Sequence, residues 1–237
     1  MKILGIDTST PCGSVGLVDG DRVLGDYLLN SPVTHSERLI EAIELILRES
    51  HLSANALDGW AVSLGPGSFT GLRIGVSTVK GLSFATGTPV LGVPTLDILA
   101  HQAAPVPYQI CPVLDARKKE VYTAFYRYGE GDILGRRSPF LAVRPETLIE
   151  KIKEKTLFVG EGLKTYGSLL KEGLPNLAVF GPSFINVPHG SVVAQLGLEL
   201  LRRGETLDPA TFGPIYIRPS EAEIKWREKH PDERRPD

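Results

Sequence analysis

Two aspartates stand where they could do chemistry. Asp7 closes the apolar run ILGID and is followed by Thr8 and Ser9; Asp115 closes ICPVLD and is followed two residues later by Arg117. A carboxylate at the end of a buried strand, beside hydroxyls or a guanidinium, can hold a metal and a phosphate, and it can equally be the acid that forms the turn. The histidines offer less. His35 precedes a helical stretch, and His51, His101, His189 and His230 have no partner at metal spacing, so spacing assembles neither a metal set nor a serine–histidine–aspartate set.

The glycine-rich segment SLGPGSFTGLRIGVSTVKGL, Ser63 to Leu82, is the other candidate. A Walker phosphate loop needs two glycines separated by four residues and then Lys-Ser/Thr. Gly65, Gly67 and Gly71 do not supply that spacing, and Leu72-Arg73 follows instead. The fingerprint GxGxxG fails as well, because Ser68, Phe69 and Thr70 follow Gly67. A helix start with free amides can still hold an anion, which is a generic property. The helix says more: Gly71, Gly75, Thr78, Leu82 and Ala85 lie three or four apart, a face that allows close approach of another element. Glycine inside a helix costs about 1 kcal/mol relative to alanine. A close contact would offset that cost, either in the core or across a subunit boundary.

The elements that must position these residues read as two similar halves. Lys2 to Asp7 is a buried strand, and the apolar patches on either side of Asp19-Gly20-Asp21 make an antiparallel meander with it. From Ser36 to Ser50 the period becomes helical, with Leu39, Ile40, Ile43, Ile46 and Leu47 on one stripe, Ser36 as cap and Pro32 upstream. A strand from Trp60 to Leu64, the glycine helix ending near Gly87, a strand in TPVLGV and a helix in TLDILAHQ complete the first half. AAPVPYQ is the hinge. The second half repeats strand, aspartate turn and strand, with Val121, Thr123 and Phe125 alternating. It continues with strand-like ILGRRSPFLAV, a helix from Pro145 to Lys155, the strand TLFVG, helical YGSLLK, the strand LAVF and a helix from Ser191 to Arg203. The expected division is 1–104, 105–220 and a charged tail, 221–237, with the frayed end that such a composition suggests.

Composition narrows the classes. The chain has 237 residues, 42% hydrophobic and 23% charged, enough for a sizeable core. Net charge is −2, and Arg117 to Lys119, Arg136-Arg137 and Arg202-Arg203 are short basic clusters far apart in sequence. They argue against a dominant nucleic-acid face and leave room for a share in a composite one. Cys12 and Cys111 form no CxxC pattern, which points to a reducing cytoplasm rather than a disulfide framework. The opening residues are too weakly apolar for a signal peptide, and no run reaches the roughly 18 apolar residues of a membrane span.

ILGIDTST, HSERL from His35, the glycine segment, LGVPTLDILA, LDARKKEVYTAFY and PIYIRPSEAE together, in this order, resemble the bacterial TsaB (YeaZ) family over nearly the whole chain. That resemblance implies a two-lobed, duplicated α/β fold of the actin-like, ribonuclease H-like class. It implies a role in making threonylcarbamoyladenosine next to the anticodon of tRNA. In that family the protein pairs with the catalytic subunit TsaD, which transfers a threonylcarbamoyl group from an adenylate made by TsaC, and the ATPase TsaE joins them.

In TsaD the segment resembling GVNHxxGH carries two metal-binding histidines; here GVPTLDILA places Thr95 and Leu99 there. Leucine cannot ligate a metal and a lone threonine hydroxyl is a poor ligand. The expectation is therefore a non-catalytic scaffold that needs no cofactor or metal of its own. It would dock on a TsaD-like subunit through Leu39, Ile43, Ile46, Arg73, Gly75, Thr78 and Leu82, reach tRNA through the complex, and form a homodimer when alone. The competing expectation is an ATP-dependent phosphotransferase or ATPase with Asp7, Ser9 and Asp115 at the nucleotide. A protease lacks any nucleophile or metal set.

Overall fold

The computed structural model describes residues 1–30 and 35–218. The first sheet grows from Lys2–Asp7 (β1), which alternation divides between two cores: Leu4 and Ile6 belong to one and Ile3 to the other. Gly13–Asp19 (β2) and Arg22–Leu29 (β3) form the expected antiparallel meander, and Gly59–Gly65 (β4) and Val90–Pro94 (β5) add in parallel. The order is β3-β2-β1-β4-β5. His35–Glu49 (α1) and Phe69–Thr86 (α2) cover the Leu4 and Ile6 face, burying Leu39, Ile43, Ile46, Val76 and Val79 against it. Ser36 lies inside α1 rather than at its cap, and Pro32 and the tail lie outside the described residues. The bounds of α2 follow local chemistry: the Ser68 hydroxyl accepts the Gly71 amide, and Gly87 ends the helix in the left-handed region.

The second half repeats the plan. Gln109–Asp115 (β6), Val121–Thr123 (β7), Tyr126–Tyr128 (β8), Leu134–Arg136 (β9), Leu141–Val143 (β10), Thr156–Val159 (β11) and Ala178–Phe180 (β12) build it, and its main path runs β10-β7-β6-β11-β12. Counting strands from the start of each main path's half, both sheets read 3-2-1-4-5, antiparallel across the first three and parallel across the last. This is the duplicated, two-lobed actin-like α/β fold. The expected continuous strand through Phe125 is two short ones. The buried phase slips at Ala124, and the Phe125 amide bonds the Ser138 hydroxyl instead of a ladder partner.

Pro145–Lys151 (α4) is shorter than expected because Ile152 turns extended and buries in the core between α4 and Leu163–Gly173 (α5). The third helix of each repeat crosses to the other half. Thr95–His101 (α3) packs Leu96, Leu99 and Ala100 against Ile110 and Leu114 of the second sheet. Gly190–Arg202 (α6) packs Val193, Ala194 and Leu198 against Ile3, Val18 and Ala61 of the first. Leu207, Phe212 and Ile215 join the first core too, so the division at 104 does not separate the lobes in space. Glycine makes this possible: a Cβ on Gly16 would lie 1.9 Å from the Ser191 nitrogen.

Candidate functional site

Between the lobes lies a cleft of about 530 Å³. Its first wall is Ser9 and Thr10, from the loop after β1, with Gly67, Ser68 and Phe69 at the start of α2. Its second wall is the turn after β6, Asp115 to Lys118, with Tyr122 and Glu161, and Tyr216 and Arg218 close one side. The glycine segment shapes the first wall by close approach to the neighbouring loop. A Cβ on Gly67, Gly71 or Gly75 would fall 2.4, 1.9 or 2.4 Å from Ser9 O, Thr8 O or Thr8 Oγ1. The small-residue face thus meets this chain's own Thr8 and Ser9 at its N-terminal end.

The two aspartates are not equivalent. Asp7 is fully buried beneath the cleft and does not line it; it accepts the Ser9 hydroxyl at 2.7 Å and the Ser9 amide at 3.2 Å. Burial pushes its carboxyl up to about 6, with the Ser63 and Ser9 hydroxyls and the Ser9 amide opposing. Asp115 lines the cleft, accepts the Arg117 amide at 2.8 Å and stands 3.7 Å from the Arg117 guanidinium. The cleft therefore joins Ser9 and Asp115 and leaves Asp7 out.

Glu161 was not legible as a site residue. Burial, and then Asp115, raise its pKa, which places two mutually repelling carboxylates on one wall. Its signal was the repeat: Gly160-Glu161-Gly162 follows β11 much as Gly65-Pro66-Gly67 closes β4, and Gly65 and Gly160 have similar φ values of 109° and 112°. Arg218 was missed as well. It pairs with Glu120 from far along the chain.

The helical face differs from the expected one. Leu39, Ile43 and Ile46 are 4%, 3% and 6% exposed, so the apolar stripe of α1 serves the chain's own core and is corrected as a docking set. Gly75 is likewise buried, against Thr8; Thr78 and Leu82 are half-buried. Arg73 is exposed, with its guanidinium 4.0 Å over the Phe69 ring and Nε donating to the Tyr216 hydroxyl at 3.2 Å. The outward side of α2 is Ser77, Gly81, Phe84 and Ala85, with Phe84 91% exposed, and α1 adds Ile40 at 43%.

Thr95 and Leu99, one turn apart on α3, are both fully buried. Leu99 packs within the second core, and Thr95 Oγ1 has no hydrogen-bond partner. Among the described residues, no three His, Cys, Asp or Glu side chains gather as a metal site, and no helix is long and apolar enough to cross a membrane.

Residues 31–226 match the sequence model of TsaD, the tRNA N6-adenosine threonylcarbamoyltransferase family. The tRNA threonylcarbamoyladenosine biosynthesis protein TsaB of Bacillus subtilis (strain 168) is 32% identical over 231 residues, covering 96% of this chain and 99% of that protein. TsaB of Escherichia coli (strain K12) is 30% identical over 233 residues, covering 96% and 97%. The solved structure of YeaZ from Pseudomonas aeruginosa superposes with a TM-score of 0.77 at 29% identity, over 91% of this chain and 99% of that one.

Proposed function

The chain belongs to the TsaB (YeaZ) family, which takes part in the threonylcarbamoyladenosine modification of tRNA, and on that premise we propose that it is a non-catalytic scaffold for a TsaD-like transferase. The observation that carries this is the interior of α3. At the positions where the resembled transferase has metal-binding histidines, Thr95 and Leu99 are sealed in the core, one without hydrogen-bonding capacity and neither open to a substrate. The transferase chemistry then falls to the partner.

The outward side of α2 is the docking face in this reading. An aromatic ring held clear of its own chain, beside the small residues Ser77, Gly81 and Ala85, is the kind of anchor that a partner helix buries. Arg73 flanks it. The composite surface so formed receives a TsaE-like ATPase and tRNA in the cytoplasm, and without the partner the same face pairs two copies of this chain.

Reconstituting the tRNA modification with each component omitted tests the reading. Omitting this chain should reduce modification strongly, and modification at an equal rate without it would refute the scaffold role. The second reading, an ATP-dependent phosphotransferase or ATPase, is favoured only by Asp115 and Glu161 in the cleft. It requires magnesium-dependent ATP turnover by the isolated chain that Asp115→Ala abolishes.

A further inference from the structure

Helix α6 begins without a cap from its own N-cap residue: the His189 side chain makes no capping bond. The carboxylate of Asp26, on β3, supplies one from across the fold. Its Oδ1 accepts the Ser191 amide at 3.1 Å and its Oδ2 accepts the Ser191 hydroxyl at 2.8 Å. The same Oδ2 meets His189 Nδ1 at 2.7 Å, while His189 Nε2 faces the Phe184 carbonyl at 2.9 Å. Both groups facing the ring are acceptors. A neutral imidazole carries one N–H, so only the doubly protonated ring makes both bonds. A cation at a helix N-terminus opposes the helix dipole, and Asp26 compensates it there.

The ring holds more than one segment. Phe184 lies in the 3-10 turn Ser183–Ile185, and the residues around it reach both lobes. Asn186 Oδ1 accepts the Gly160 amide at 2.9 Å in the second lobe, and the Pro188 carbonyl accepts the Ser14 hydroxyl at 2.8 Å in the first. Gln102 of α3 donates to the Ile185 and Val187 carbonyls and accepts the His189 amide. Residues 182–189 are thus a strap between the lobes.

We propose that His189 is a proton-operated latch on this strap: protonated, it joins Asp26 to the Phe184 carbonyl; deprotonated, it keeps Nδ1–H on Asp26 and releases the Phe184 carbonyl. The inference stands apart from the scaffold reading. Among the described residues, Asp26 from β3 is the charged group facing the ring. Gln102 from α3, Ser191 from α6 and the Phe184 carbonyl are uncharged. The Asp26 hydrogen bond raises the imidazole pKa above 6.5, burial opposes it, and the Phe184 carbonyl and the Asp26 charge add to the rise. The latch is therefore complete below about pH 6.5 and is lost as pH rises through the raised value.

Nitrogen-15 NMR of the histidine-labelled full chain between pH 6 and pH 9 reads the latch directly. Both ring nitrogens should be protonated at pH 6, the midpoint should exceed about 6.5, and the neutral ring should keep its proton on Nδ1. Across that midpoint, hydrogen-exchange protection of the Ile185 and Asn186 amides, which donate to Pro182 and Ser183, should fall several-fold. His189→Gln should make that protection independent of pH, and Asp26→Asn should lower the midpoint. A neutral ring protonated on Nε2, a midpoint at or below the ordinary value, or protection that ignores the titration would overturn the latch, whether or not either variant folds.

Discussion

The Thr8 hydroxyl donates to the Gly71 carbonyl at 2.7 Å, closing the loop after β1 onto the first turn of α2. A Cβ on Gly71 would stand 1.9 Å from the Thr8 carbonyl oxygen, whereas nothing lies within 4 Å of one on Gly81. Gly71→Ala should cost about 2–3 kcal/mol. Gly81→Ala, in the same helix, should stabilise by up to about 1 kcal/mol. Urea unfolding of the two variants checks the contrast, and equal midpoints would show that the close packing has been misjudged.

Asp7 makes stability depend on pH. Its carboxyl rises from 3.8 to about 6 on burial, so the neutral form favours folding below the unfolded value. That contribution, about 3 kcal/mol, disappears as pH climbs through the folded value. Asp7→Asn removes the titrating group and keeps one side-chain oxygen to accept the Ser9 hydroxyl. The variant should gain on the parent between pH 4 and pH 7 in denaturant unfolding. A variant that falls further behind at higher pH would mean that Asp7 is stabilised as an anion.

Thr95 hides an unpartnered hydroxyl. Thr95→Val retains the shape and removes the unsatisfied group, and should stabilise the chain by about 1 kcal/mol. Calorimetric unfolding decides it. A loss of that size instead would mean that the hydroxyl has a partner in solution.

Phe84 and Ile43 separate docking from folding. Phe84 is 91% exposed and Ile43 is 3% exposed. Phe84→Glu should leave stability within about 0.5 kcal/mol and weaken binding of a TsaD-like subunit at least about tenfold. Ile43→Ala should cost about 2–4 kcal/mol of stability. Paired titration calorimetry and chemical unfolding test this; unchanged affinity in Phe84→Glu would move the docking face elsewhere.

The α2 helix, the aspartate-ended strands and the repeat were legible because their signals are local. Ser68 and Gly87 cap α2 by short-range geometry, and Asp7 and Asp115 follow runs whose burial shows in their composition. The site was legible in part. Ser9 and Asp115 face one cleft, but Asp7 sits one layer below Ser9, and a carboxylate at a strand end reads the same in either place. Arg218 was silent because it lies far from Asp115 in sequence, and Glu161 showed only as the middle of a repeated Gly-x-Gly.

By itself, the sequence determined the helical period of α1 and α2, the stop of α2 at Gly87 and the strand–turn–strand plan that occurs twice, since backbone sterics and apolar spacing act within a few residues. Tertiary structure decided which surface each element meets. The apolar stripe of α1 had to face a core, yet only the sheet beneath it turned Leu39, Ile43 and Ile46 inward and left Ile40 outside. Nothing local sends α6 back to the first sheet, or sets Asp26 and His189, 163 residues apart, within a hydrogen bond. Those pairings are selected by how completely the whole chain buries its apolar surface and satisfies its polar groups, a property of no single segment.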